Sequence, residues 1–230
     1  MNDQIQAYPD NPVFVDAAQR NRVLRNTYLL LAVSLVPTVL GAWVGVATGM
    51  MNALGAGLSA LLFLGGAFGF IFAIEKYKNS STGVYLLLGF TFFMGLMLAR
   101  LVGQVLGFRN GASLVMTAFG GTAAIFFAMA SLATVIKRDL SSLSKFLFVG
   151  AIVLLVAGLA NIFLQSSALM LVLLVMSLAI FSAFMLVDVK RVLDGGETNY
   201  VSATLAIYLD IYNVFQSLLA LLGIAGGERD

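Results

Sequence analysis

Seven stretches of about twenty apolar residues, each closed by a short polar or glycine-rich break, leave this chain few architectures, because a bilayer crossing needs about that many. The windows run approximately over Tyr28–Thr48, Leu54–Ile74, Gly83–Gly103, Ser113–Ile136, Phe146–Leu164, Ala168–Val192 and Val201–Ala225. Only 10% of the 230 residues are charged and 60% are hydrophobic, whereas a soluble domain carries about 25% charged residues. The pattern predicts an all-α membrane protein, with seven transmembrane helices in one compact bundle. Its organisation reads as a flexible cytoplasmic tail over residues 1–26, a membrane domain over 27–226 and a periplasmic C-terminal tail over 227–230.

Charge placement sets the expected orientation. With the N-terminus inside, Arg20, Arg22, Arg25, Lys76, Lys78, Lys137, Arg138, Lys145, Lys190 and Arg191 all fall on the cytoplasmic side, ten of the thirteen basic residues. Arg100, Arg109 and Arg229 remain outside, so the positive-inside rule predicts N-terminus in and C-terminus out. The first 26 residues hold Asp3, Asp10 and Asp16 and no apolar core, which does not describe a cleaved signal peptide. The basic residues are scattered at helix ends, and nothing points to nucleic acid.

The chain has no Cys and no His. Disulfides, thiol chemistry, imidazole catalysis and the usual zinc or haem ligands are therefore absent. Acid–base or cation chemistry falls to carboxylates, Lys, Tyr and backbone oxygen. Gly41, Gly45 and Gly49, Gly65 and Gly69, and Gly120, Ala124 and Ala128 recur every four residues, a spacing that lets helices pack closely. Pro37 is expected to kink the first helix.

Two acids stand alone in apolar helices: Asp188 in SAFMLVDVKRV and Asp210 in TLAIYLDIYNVF. An acid at the centre of a membrane helix costs about 2.5–3.5 kcal/mol on insertion scales and marks a candidate functional site. The short turn Asp194-Gly-Gly-Glu197-Thr-Asn199 makes their helices antiparallel neighbours. At 1.5 Å rise per residue, Asp188 lies about 10 Å above Gly195 and Asp210 about 12 Å above Ser202. Their side chains are therefore expected to meet. Two touching carboxyl groups titrate as one unit around a shared proton, and when charged they are candidate Ca²⁺ ligands. Asn213 and Ser217 extend the face of Asp210, with Ala203 and Ala206 behind it. A polar stripe of this kind places the last helix at the centre of the bundle.

Single-residue alternatives stand beside this reading. Asp188 could instead pair with Lys190 or Arg191 at the helix end, and Asp210 could be a protonated hydrogen-bonding residue. Arg100 and Gln104, near an outer helix end, fit snorkelling side chains. Glu75 with Lys76 and Lys78 forms a further cluster that could reach Asp188. An intramembrane aspartyl protease would show Tyr-Asp and Gly-x-Gly-Asp, whereas Val187 and Leu209 precede the acids here. No catalytic residue is assigned. The seventh window has no Lys for a retinal Schiff base.

The segments FGGTAAIFFAMASLATVIKRDLSSLSKFL, GLANIFLQ and LDGGETNYVSATLAIYLDIYNVFQSLLALLG resemble the Bax-inhibitor, or transmembrane Bax-inhibitor-motif, family. VLRNTYLLL and GGETNY are similar to its bacterial YccA-like branch. The resemblance implies a seven-helix bundle with a central last helix in the bacterial inner membrane. It also implies a proton-sensitive Ca²⁺ leak through an aspartate pair, here Asp188 and Asp210, with Lys76 or Lys78 as basic partner. For the YccA-like branch it implies instead a modulator of the membrane-anchored AAA protease FtsH, with the N-terminal tail as its handle. No cofactor is implied beyond Ca²⁺ as transported ion.

Overall fold

The computed structural model describes residues 17–50 and 54–227. Among them it is all-helical: α1 Ala17–Thr48, α2 Ala56–Tyr77, α3 Ser81–Leu106, α4 Gly111–Val135, α5 Ser141–Leu164, α6 Ser167–Leu193 and α7 Tyr200–Gly226. All seven are long and apolar enough to cross a membrane. The expected tail stretch from residue 17 to 26 is not a tail but the first turns of α1. Its charges, Arg20, Arg22 and Arg25, hide it from a hydropathy window, yet Val23 is buried against Val192 and Ala203. The remaining tail residues, 1–16, and residues 228–230 lie outside the described residues. At Pro37, α1 runs on as one helix.

The helix α7 packs against α1, α2, α3, α4 and α6, and half of its apolar window is buried, against 6% for α2 and α5. Its side chains explain the difference. Val201, Leu205, Ile207, Tyr208 and Tyr212 join Leu30, Leu31, Ile74, Leu87, Phe90 and Met94 in the main core. At the end near the α3–α4 connection, Leu219 packs on Val105, Leu114 and Ala118.

Among the described residues, and apart from the turns at Gly83 and Gly111 that join consecutive helices, a Cβ added to a glycine meets the backbone of another helix this closely in one pair. A Cβ on Gly41 would stand 2.1 Å from the Phe92 carbonyl oxygen, and one on Gly95 would stand 2.1 Å from that of Thr38. Thus α1 and α3 cross almost backbone to backbone. The other expected small-residue seams are not close crossings at their glycines. Gly65, Gly69 and Gly120 have nothing within 4 Å, and Gly49, at φ +63°, follows the end of α1. Spacing marks helices that permit close approach, but the partner determines whether it occurs.

Candidate functional site

The α6–α7 turn is built by its own sequence. Gly195 takes φ 78°, and the amides of Gly195 and Gly196 donate to the carbonyls of Val192 (3.1 Å) and Arg191 (2.9 Å), the paired bonds of a glycine helix stop. Asn199 then caps α7, its Oδ1 accepting from the amides of Val201 (2.9 Å) and Ser202 (3.2 Å). Its Nδ2 donates to the Lys78 carbonyl at 3.2 Å and to Asn79 Oδ1 at 2.8 Å. Glu197 Oε1 accepts from the Asn199 amide at 2.8 Å. The GGETN segment therefore fixes where α7 starts relative to both α6 and the α2–α3 connection.

That start sets the depth of the acids. Asp210 lies ten residues into α7, about 15 Å along it, and Asp188 five residues before the end of α6. The two carboxyl groups lie within hydrogen-bonding reach of each other. Asp210 is 3% exposed, and its Oδ2 has no hydrogen-bond partner among the described residues. Asp188 is half-buried and feels the charges of Arg191 and Glu197. Farther along the same seam Ser217 Oγ donates to Ser177 Oγ at 2.9 Å. Asn213, between Asp210 and Ser217 in the expected stripe, turns back on its own helix, donating to the Leu209 carbonyl at 2.8 Å.

The nearby charges sort into separate pairs. Lys190 binds Asp194, with Nζ 2.6 Å from Oδ1. Lys78 binds Glu75 at 2.8 Å, and this contact raises the ammonium's proton affinity above the ordinary Lys value. Lys76 sits over the Tyr77 ring, 5.6 Å from its centroid. The expected bases Lys76 and Lys78 are thus engaged with Tyr77 and Glu75, and Arg191 is the cation whose charge acts on Asp188. Ser202, buried below Asp210, has a hydroxyl without an ordinary hydrogen bond that faces Glu75.

A third group escaped the sequence reading. On the other side of α7, Tyr208 is 1% exposed. Its hydroxyl shares a 2.9 Å hydrogen bond with Thr38 Oγ1 and reaches the Thr91 carbonyl at 3.4 Å, while its ring meets Phe90 edge-on. One side chain ties α7 to α1 and α3. The signal was present in IYLD, since a phenol in an apolar helix needs a polar partner; the identity of that partner was not.

The site is thus set in a seven-helix bundle whose most buried helix carries an acid against a second acid on the preceding helix, and comparison gives the family of the chain. The profile of the family described as "Inhibitor of apoptosis-promoting Bax1" matches residues 20–227. The chain belongs to the Bax-inhibitor family. Similar proteins include "Modulator of FtsH protease YccA" of Escherichia coli, 36% identical over 208 residues covering 90% of this chain and 92% of that one. An "Uncharacterized membrane protein" of Vibrio cholerae is 37% identical over 207 residues, covering 90% and 91%. A Pseudomonas aeruginosa protein is 36% identical over 225 residues, covering 98% and 99%.

Proposed function

We propose that this protein is a proton-sensitive Ca²⁺ leak of the bacterial inner membrane, with Asp188 and Asp210 as both clamp and sensor. The observation that carries the proposal is the contact of two carboxyl groups from α6 and α7, well inside the bundle. Two negative charges at that distance repel strongly in a low-dielectric interior, so the contact holds with one proton between them. Removing the proton loads the α6–α7 seam with repulsion, and a divalent cation relieves it. Charged, the pair offers carboxylate oxygens to a hard cation. No group of three acidic side chains suited to a metal occurs among the described residues, which suits a passing ion better than a resident one. The ten basic residues expected on one side orient the N-terminus and the α6–α7 turn toward the cytoplasm. The mechanism calls for no catalytic step.

Reconstituted in proteoliposomes, the wild type should pass Ca²⁺ at a rate that depends on pH, and Asp210→Asn and Asp188→Asn should each flatten that profile. An Asp210→Asn protein that folds and keeps the wild-type profile would refute the assignment.

A second reading has its own support in the relative named for modulating FtsH. In it the chain binds a membrane-anchored AAA protease of that kind and slows its turnover of substrates, with residues 1–20 as the handle. Co-purification with the protease, and a longer cellular lifetime after deletion of residues 1–20, are the expected results.

A further inference from the structure

Arg100 has no place in either reading. It lies six residues before the end of α3, about 9 Å along the axis, and among the described residues it has neither an ion pair nor a hydrogen bond. It lines a cavity of about 220 Å³ between α2, α3 and α7, together with Ser59, Phe63, Leu98, Tyr212 and Gln216. The cavity exists because α2 leans on α3 and barely touches α7, so the α2–α7 seam stands open on the lipid side. A snorkelling arginine extends toward the interface along the outside of its helix. Arg100 instead shares this recess with Tyr212, which is 5% exposed and belongs to the main core. An unpaired guanidinium within a membrane helix requires an anion or water, and its planar fork matches phosphate oxygens.

We propose that the α2–α7 groove binds one anionic phospholipid, with the phosphate on Arg100 and an acyl chain against Phe63 and Leu98. The lining has the matching two-part chemistry. Arg100 and Gln216 supply donors to the head, and the aromatic and aliphatic side chains receive the chain. The groove holds a phosphodiester and the first methylenes, and the rest of the lipid runs along the exposed face of α2. The bound lipid fills a seam that the protein alone leaves unpacked and joins α2 to the rest of the bundle.

The test uses the full-length protein purified in detergent, titrated with phosphatidylglycerol or phosphatidylcholine and read by native mass spectrometry and by thermal melting. Phosphatidylglycerol should bind more tightly than phosphatidylcholine and raise the melting temperature. Arg100→Gln should weaken its binding about tenfold, equivalent to about 1.4 kcal/mol. Ala60→Phe, which fills the groove and leaves Arg100 in place, should also weaken it. The exposed Arg109→Gln, outside the groove, should bind as wild type. Arg100→Gln and Ala60→Phe proteins that both bind like wild type would overturn the proposal. So would equal affinity for the two lipids, or inorganic phosphate raising the melting temperature as much as phosphatidylglycerol does.

Discussion

Adding one methyl group at Gly41 should be among the more damaging changes available in this protein, while the same methyl at Gly65 should do no harm. At Gly41 the new carbon would stand 2.1 Å from the Phe92 carbonyl oxygen and 3.0 Å from the Leu96 nitrogen. Both atoms are backbone, so no side chain can swing aside. Restoring ordinary contact requires α1 and α3 to part by about 1 Å, a gap that forfeits a quarter to a half of each dispersion contact across the crossing. Overpacking of this kind costs about 1–3 kcal/mol. The parting also stretches the 2.9 Å bond between Thr38 and Tyr208, whose loss adds about 1 kcal/mol. Gly41→Ala should therefore destabilise by about 2–4 kcal/mol, taking the two costs together. At Gly65 a Cβ meets nothing within 4 Å, so Gly65→Ala should stabilise the helix by about 0.5–1 kcal/mol. Equilibrium unfolding in mixed micelles, titrated with a denaturing detergent, measures both. Gly41→Ala unfolding at or above the midpoint of Gly65→Ala would show that the close crossing contributes nothing.

Two further outcomes are expected. Tyr208→Phe keeps the ring contact with Phe90 but removes the hydroxyl that bridges α1, α3 and α7, and should lower stability by about 1 kcal/mol in the same unfolding assay, with no change in proteoliposome pH profile. At the start of α5, Asp139 accepts from the Ser141 hydroxyl at 2.7 Å and the Ser141 amide at 2.9 Å, and these bonds hold its carboxyl below the ordinary carboxylate range. A lowered folded-state value means that the stabilisation is present above the unfolded-state value and is lost as pH falls through the folded one. Hydrogen exchange at the first turn of α5 should accelerate only on strong acidification, and Asp139→Ala should show the faster exchange already at neutral pH.

The span count and the near coincidence of Asp188 and Asp210 were legible in the sequence because both follow from local quantities. Runs of apolar residues set the helices, and the GGETN turn sets the register of the last two, so their depths follow from rise per residue. The burial of α7 was legible for a similar reason, since a helix with an acid and small residues along one face avoids lipid. What exceeded local reasoning were choices among equivalent partners. Three glycine or alanine spacings looked alike, but only α1 found a partner, α3, whose own Gly95 faced it. Lys76, Lys78 and Arg191 were equally available to Asp188 by sequence, and Glu75 together with the Tyr77 ring engaged the first two. The start of α1 was masked by the arginines that precede its apolar run. The open α2–α7 seam beside Arg100 has no sequence signature, because a gap is a property of two surfaces and a chain describes one at a time. Hydropathy and turn chemistry are properties of a segment, while packing, pairing and vacancy belong to the assembled bundle.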